Sequence, residues 1–327
     1  MTGGGTLRAS LGRALDEAGL RHRIVGAEFA EEMIRSLTEL QDRGIAPAEI
    51  LSEYAPSFDF TTPEGMAEVR SLVVVAAPSP PLKVTFDLGD REVEAIIPPT
   101  YVSSETRGRT LEIMSEVLGP AGYAVQRVAL PAKLLAVRVG LAEYGRNGLA
   151  YVKGLGSFAR LDVYGTDAEL AREEERPVAF PGRLPVPPRM RKCLACAWCH
   201  HACPTGCISS TGDRIEPLSC LTYFNEHEAG WPESLDSRGH NSLVGCMVCQ
   251  MGCRANVEDG YIPPQVSAAS FNREETEIIL ENLPKDQLPE PLREKLESLD
   301  LADYSTVLGR NLRMLADLSL PAAADKE

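Results

Sequence analysis

Residues 28–40 place Phe29, Met33, Ile34, Leu37 and Leu40 three and four positions apart, which predicts an amphipathic helix with these side chains turned to a core. The run SLVVVAAP at 71–78 is short, apolar and β-branched, ends in prolines, and predicts a buried strand. From Val84 to Ile97 two alternating segments flank Gly89-Asp90, the pattern of a hairpin. Leu111, Met114, Val117 and Leu118 mark a helix over 105–118 that Gly119-Pro120 stops. Strand patterns follow at 123–130 and 158–165, separated by a helical stretch over 130–140 that ends near Gly140. Helical and strand periods mixed in this way predict an α/β domain over residues 1–171.

The pattern then breaks. Residues 172–191 hold a charged REEERP segment and Pro177, Pro181, Pro185, Pro187 and Pro188, which predicts a linker or draped arm. A cysteine-bearing domain is expected over 192–262 and a helical tail over 263–327. In the tail, Asn272 and Glu275 have the spacing of a capping box. Leu292, Leu296 and Leu299 mark a short helix; Tyr304, Val307, Leu308, Leu312, Leu315 and Leu318 mark a longer one. Seven basic against thirteen acidic side chains make residues 271–327 acidic.

Composition narrows the function classes. With 44% hydrophobic and 24% charged residues among 327, wholesale disorder is excluded. A net charge of −14 argues against broad phosphate-backbone binding, which needs surplus Lys and Arg. No run approaches about twenty apolar residues, so no membrane span is expected. The opening MTGGGTLRASLGRAL lacks a signal-peptide core and a twin-arginine pair, so a cytoplasmic location is expected. Thiols stay reduced there. Nine cysteines confined to 193–253 therefore point to metal ligation or redox chemistry instead of structural disulfides.

Two runs carry the chemistry: Cys193-x2-Cys196-x2-Cys199-x3-Cys203-Pro204 and Cys246-x2-Cys249-x3-Cys253. Three thiolates spaced by two residues can reach three irons of one cubane, while the cysteine before proline ligates the other cluster. Cys193, Cys196 and Cys199 then take Cys253 as their distant fourth ligand. Cys203 joins Cys246 and Cys249 and needs one more, either Cys220 or Cys207. Cys207 lies four residues from Cys203, on the expectation of a short helix after Pro204, whereas Cys220 stands alone in the intervening segment; Cys220 is assigned and Cys207 left as a spare thiol. Zinc, which usually takes two CxxC pairs, suits this spacing less well.

The segments CLACAWCHHACPTGCI, IEPLSCLTYFNE and GCMVCQMGC resemble the epoxyqueuosine reductases, corrinoid-dependent tRNA-modifying enzymes with two 4Fe-4S clusters. The match of the lone cysteine in SCLTYFNE to that family's second-cluster ligand supports Cys220. Upstream, LPAKLLAVRVGLAEYGRNGLAYVKGLGSFARLDVYGTD (130–167) resembles the corrinoid-contacting region of the same family and of the reductive dehalogenases. The resemblance covers roughly residues 70–260. It implies an α+β fold with a nitroreductase-like N-terminal domain and a ferredoxin-like double-cluster domain. It also implies cobalamin contacts at Tyr144, Gly145, Arg146, Asn147, Ser157 and Phe158, and an external low-potential electron donor. Glycines 145, 148, 154 and 156 would let backbone approach a flat macrocycle.

Departures from the pattern shift the expected substrate. The relatives carry an acidic proton donor ahead of their Gly-Leu-Gly segment; the corresponding YAVQRVALPAK has no Asp or Glu, and Gln126 is the nearest match. The acidic tail does not suit tRNA. The expectation is an iron–sulfur oxidoreductase that passes single electrons to a cobalt centre, acting on a small molecule or a corrinoid protein. The alternatives are a non-catalytic electron-transfer or corrinoid-reactivating partner, and tRNA epoxyqueuosine reduction.

NEHEAG (225–230) nearly matches a motif that supplies an axial histidine in other corrinoid proteins, but Asn225 replaces its Asp, so His227 is expected as a surface or cluster-neighbour residue; His200 and His201 would tune or shield a cluster. Tyr144 and Tyr151 are possible proton donors. Trp198 and Trp231 are expected to pack beside the clusters and exclude water.

Overall fold

The computed structural model describes residues 3–44, 47–59, 61–101, 104–175, 189–211, 215–228, 231, 239–258 and 267–318. Most of the proline-rich stretch and residues 319–327 lie outside these. The strands are β1 (Arg21–Gly26), β2 (Ser71–Pro78), β3 (Leu82–Asp87), β4 (Glu92–Ile97), β5 (Val125–Arg127), β6 (Ala142–Tyr144), β7 (Ala150–Val152), β8 (Ala159–Thr166) and β9 (Ser267–Phe271). The helices are α1 (Gly3–Glu17), α2 (Phe29–Asp42), α3 (Ala48–Tyr54), α4 (Ser104–Leu118), α5 (Ala132–Arg138), α6 (Trp198–Ala202), α7 (Leu221–Glu226), α8 (Val248–Met251), α9 (Arg254–Glu258), α10 (Arg273–Leu280), α11 (Glu290–Ser298) and α12 (Ser305–Leu318).

The fold is mixed α+β, in two compact units. The first comprises Met1–Pro78 and Glu105–Leu194. Its sheet runs β1-β2-β8-β5, every neighbouring pair antiparallel. β2 reads as a continuous apolar run because both of its faces are covered. Leu72, Val74 and Ala76 join Phe29 and Met33 of α2 and Leu135 and Ala136 of α5 in one core. Val73, Val75 and Ala77 face the other way, into a core with Leu11 and Leu15 of α1 and Met114 and Leu118 of α4. The helix over 28–40 forms as expected, but Ile34 is 42% exposed. Glu32 is buried instead and is ion-paired with Arg138.

The second unit comprises Ser79–Ser104 and Ala195–Glu327, so the chain does not divide at the boundaries its patterns suggest. The hairpin β3–β4 forms about Gly89-Asp90, yet it leaves the N-terminal sheet and pairs in parallel with β9 from the tail. Phe86 and Phe271 stack at 4.7 Å, and the sheet is covered by Ile279 of α10, Leu292 and Leu296 of α11, and Leu308 and Leu312 of α12. The tail is thus the greater part of this unit's core and no appendage. Fully burying each such leucine contributes about 1.5–3 kcal/mol, enough to hold short helices that would not persist alone. α10 starts on the expected capping box, the Asn272 side chain accepting from Glu275 N–H and the Glu275 carboxylate accepting from Asn272 N–H.

A buried polar knot ties α12 to the cysteine-bearing loops. Asn311 donates to the carbonyls of Asn225 and Leu243, both at 2.9 Å, and its own carbonyl accepts from His240 Nε2 at 3.0 Å. Arg310 donates to the carbonyls of Phe224 and His227, closing the end of α7. Burial pushes His240 down to about 4; the Asn311 carbonyl opposes this and the Arg310 charge adds to it. The unfolded imidazole, near 6.5, takes a proton that the folded one refuses until about pH 4, so stability is lost as pH falls through this window. Urea unfolding under anaerobic conditions should show about 2 kcal/mol lost between pH 7 and pH 5 from this residue. His240→Gln should flatten that part of the profile; an unchanged slope would remove His240 as its source.

Candidate metal centre

Both cysteine runs are built on very short helices, which suits loops that must wrap a bulky group. α6 carries Cys199 and ends at Cys203, whose extended backbone (φ −65°, ψ 118°) leads into Pro204. α8 carries Cys249, and Cys253 follows one residue after Gly252 and leads into α9. Gly252 lies against the Trp198 ring: a Cβ there would come within 2.0 Å of it. Gly245, just before Cys246, has φ +67°, and a Cβ there would meet the Tyr101 hydroxyl at 2.5 Å. These two contacts fix the second run in place.

The sulfurs are met by hydrogen-bond donors. Arg146 N–H donates to Cys193 Sγ at 3.4 Å, and Arg146 Nη2 donates to the Cys193 carbonyl at 3.0 Å. Asn241 Nδ2 donates to Cys246 Sγ at 3.3 Å, while its Oδ1 accepts from Met247 N–H at 2.7 Å. The Thr205 hydroxyl and the Cys207 thiol each lie 3.5 Å from Cys203 Sγ. Such bonds to sulfur are a main determinant of cluster potential.

Charge follows the same arrangement. The bond from Cys207 brings the Cys203 thiol down to about 4, against burial and with help from Thr205. The same partner brings Cys220 down to about 7, again against burial. Cys207 is pushed up by its bonds to both. Burial pushes Cys246 up to about 11 despite the Asn241 bond, so deprotonating it needs a nearby positive charge such as iron would supply.

Cys207 is placed differently from the expectation. No helix follows Cys203; the chain turns at Pro204-Thr205 and enters an antiparallel bridge, Ile208 to Ile215. Cys203, Cys207 and Cys220 are brought together, and Cys193 is the one cysteine of the first unit. Among the described residues no three His, Cys, Asp or Glu side chains converge tightly enough to hold a single ion. A cubane instead takes one thiolate at each corner.

The six residues that the resemblance assigns to cobalamin are mostly engaged in their own packing. Arg146 (9% exposed) holds Cys193, and Asn147 Nδ2 donates to Tyr151 Oη at 3.1 Å. Ser157 and Phe158 are buried. A Cβ at Gly145 would strike Tyr151 at 2.4 Å, so this glycine admits its own neighbour's ring. Burial pushes the Tyr144 phenol up to about 12, which makes it a poorer proton donor. His227 donates from Nδ1 to Tyr223 O at 2.7 Å and stacks on that ring at 4.0 Å, a helix-end role; Gly230 of the NEHEAG segment lies outside the described residues. His200 donates from Nδ1 to the Ile208 carbonyl at 2.6 Å. Trp198 stays 40% exposed, contrary to the expectation of a water-excluding cover, and Trp231 meets His240 edge-on at 5.3 Å. Asn241 and Thr205 were not anticipated as sulfur partners, since spacing marks ligands and not their donors.

Residues 192–256 match the family described as the 4Fe-4S double cluster binding domain. The chain is similar to epoxyqueuosine reductase of Lactococcus garvieae, 29% identical over 147 residues, covering 44% of this chain and 38% of that protein. It is also similar to tetrachloroethene reductive dehalogenase of Dehalobacter restrictus, 30% identical over 194 residues, covering 54% of this chain and 33% of the relative. The matched stretch thus spans well under half the length of these curated relatives. The solved epoxyqueuosine reductase of Streptococcus thermophilus superposes with a TM-score of 0.61 at 17% identity, covering 95% of this chain and 81% of that one, which is a likeness of fold. No helix among the described residues is long and apolar enough to cross a membrane. The chain is therefore a distant homologue of the epoxyqueuosine reductase and reductive dehalogenase-like family, with a 4Fe-4S double cluster binding domain.

Proposed function

We propose that the protein is an iron–sulfur oxidoreductase that takes single electrons from an external low-potential donor onto two 4Fe-4S clusters. One is held by Cys193, Cys196, Cys199 and Cys253, the other by Cys203, Cys220, Cys246 and Cys249. The observation that carries this is the set of donors aimed at sulfur: a backbone N–H on Cys193, Thr205 and Cys207 on Cys203, and Asn241 on Cys246. Structural zinc sites usually take separated CxxC pairs, which the Cys193-x2-Cys196-x2-Cys199-x3-Cys203-Pro204 run does not suit.

A corrinoid would supply cobalt as the electron acceptor for reductive bond cleavage. The side chains assigned to it fit this poorly, being committed to Cys193, to Tyr151 and to the interior. The acid-bearing position fares no better: Gln126 donates from Nε2 to the Glu64 carbonyl at 2.7 Å, and an amide is no general acid. These two observations favour a second reading over tRNA epoxyqueuosine reduction, in which the clusters pass electrons to a corrinoid or other acceptor presented by a separate protein.

Anaerobic reductive titration and cobalt analysis after incubation with cobalamin test both. About two electrons should be taken up per chain, one per cluster, with no cobalt retained after gel filtration. One cobalt per chain would return the acceptor to this protein. Uptake of no electrons would end the oxidoreductase reading.

A further inference from the structure

Cys207 is the one cysteine that the two ligand sets leave over, and it sits beside Cys203 of the second set. It is 5% exposed, its Sγ lies 3.5 Å from Cys203 Sγ, and the Cys220 thiol is near enough to act on it. The backbone leaves it little freedom. Cys207 O accepts from Glu216 N–H at 2.9 Å, the next residue bridges to Ile215, and the Ile208 carbonyl is held by His200. Residues 207–208 are thus held against residues 215–216, which keeps Cys207 beside Cys203.

Thiolates on different irons of one cubane radiate from its corners and cannot be in van der Waals contact. Of Cys203 and Cys207, only one can therefore be a ligand in this arrangement. Cys203 has the motif position before Pro204 and a further hydroxyl, Thr205, on its sulfur. Cys207 is left as an S–H group beside the Cys203 ligand sulfur. A thiol is a weak donor, but a thiolate is a charged acceptor, and charge-assisted bonds are roughly twice as strong as neutral ones.

We propose that Cys207 is the hydrogen-bond donor that sets the potential of the cluster held by Cys203, Cys220, Cys246 and Cys249, its thiol donating its one proton to the Cys203 sulfur. This rests on the reading that Cys203 and Cys220 ligate one cluster. A donor on a ligand sulfur withdraws charge from the iron–sulfur core and favours the more electron-rich reduced state, so it raises that cluster's midpoint above the other's default. The two clusters then differ in potential, which gives an electron entering the pair a preferred resting place.

The test uses the full chain, purified anaerobically, as wild type, Cys207→Ala and Cys207→Ser. Iron is counted, and the midpoints are read by EPR-monitored potentiometric titration. Cys207→Ala should keep about eight irons and lower one midpoint while leaving the other in place. Cys207→Ser preserves size and a donor, so it should keep about eight irons with that midpoint at or above the wild-type value. Should the alanine variant fail to fold, the serine variant decides alone by the direction of its shift. Unchanged midpoints in Cys207→Ala, or a fall in Cys207→Ser as large as in the alanine variant, would overturn the donor role. Loss of about four irons from Cys207→Ala would also overturn it, since Cys207 would then be a ligand. A wild-type protein without about eight irons would instead overturn the two-cluster reading on which the inference stands.

Discussion

Cys246→Ala is expected to lose one whole cluster, taking bound iron from about eight to about four per chain while the other cluster's EPR signal persists. Cys246 is chosen over Cys203 because the spare thiol Cys207 lies 3.5 Å from the Cys203 sulfur. Its sulfur is half-buried and bonded to Asn241, whose side chain also braces Met247 N–H. Removing it leaves an open corner on a cluster that solvent can then enter. Because a metal group bound by loops contributes its binding energy to folding, the second unit should also unfold at lower denaturant than in the wild type. Iron analysis and urea titration on the same preparation check both. A variant that kept eight irons would show that Cys246 is no ligand.

Asn311→Leu should produce the largest effect away from the cysteines. The substitution keeps volume but strips donors from two buried carbonyls, Asn225 O and Leu243 O. Leaving a buried acceptor unsatisfied costs about 1–3 kcal/mol, so the pair together should cost about 2–6 kcal/mol. The effect should reach the second cluster, because Asn225 also donates to Gly245 O at 2.6 Å, the residue before Cys246. Urea unfolding should show a lower midpoint with unchanged slope, and iron should be lost to a chelator several-fold faster than from the wild type. Normal stability would mean that α12 does not brace these loops.

The parts legible from sequence were those set by local pattern. β2 announced itself because a strand covered on both faces has no polar positions, and α10 because its cap is written in Asn272 and Glu275. The hairpin β3–β4 was legible as a hairpin but not in its allegiance. Its partner β9 lies some 185 residues on, and nothing in VTFD or SAASF says that Phe86 will stack on Phe271. For the same reason α11 and α12 read as a tail; an apolar stripe states that a helix is covered, not by what. Ile34 was misplaced because the helical period alone cannot foresee that Glu32 will be buried with Arg138. The opening helix α1 and β1 were not anticipated, their glycine-rich and basic residues masking Leu11, Leu15 and Ile24. At the candidate centre, spacing identified the thiols, whereas Asn241, Thr205 and the position of Cys207 beside Cys203 depend on how the loops fold back.

The two-cluster assignment is tested most directly by iron and acid-labile sulfide analysis of anaerobically purified protein, with EPR after reduction. About eight irons and eight sulfides per chain, with the signal of reduced 4Fe-4S clusters, are predicted. A chain carrying zinc, or about four irons with no loss on replacing Cys246, would contradict it.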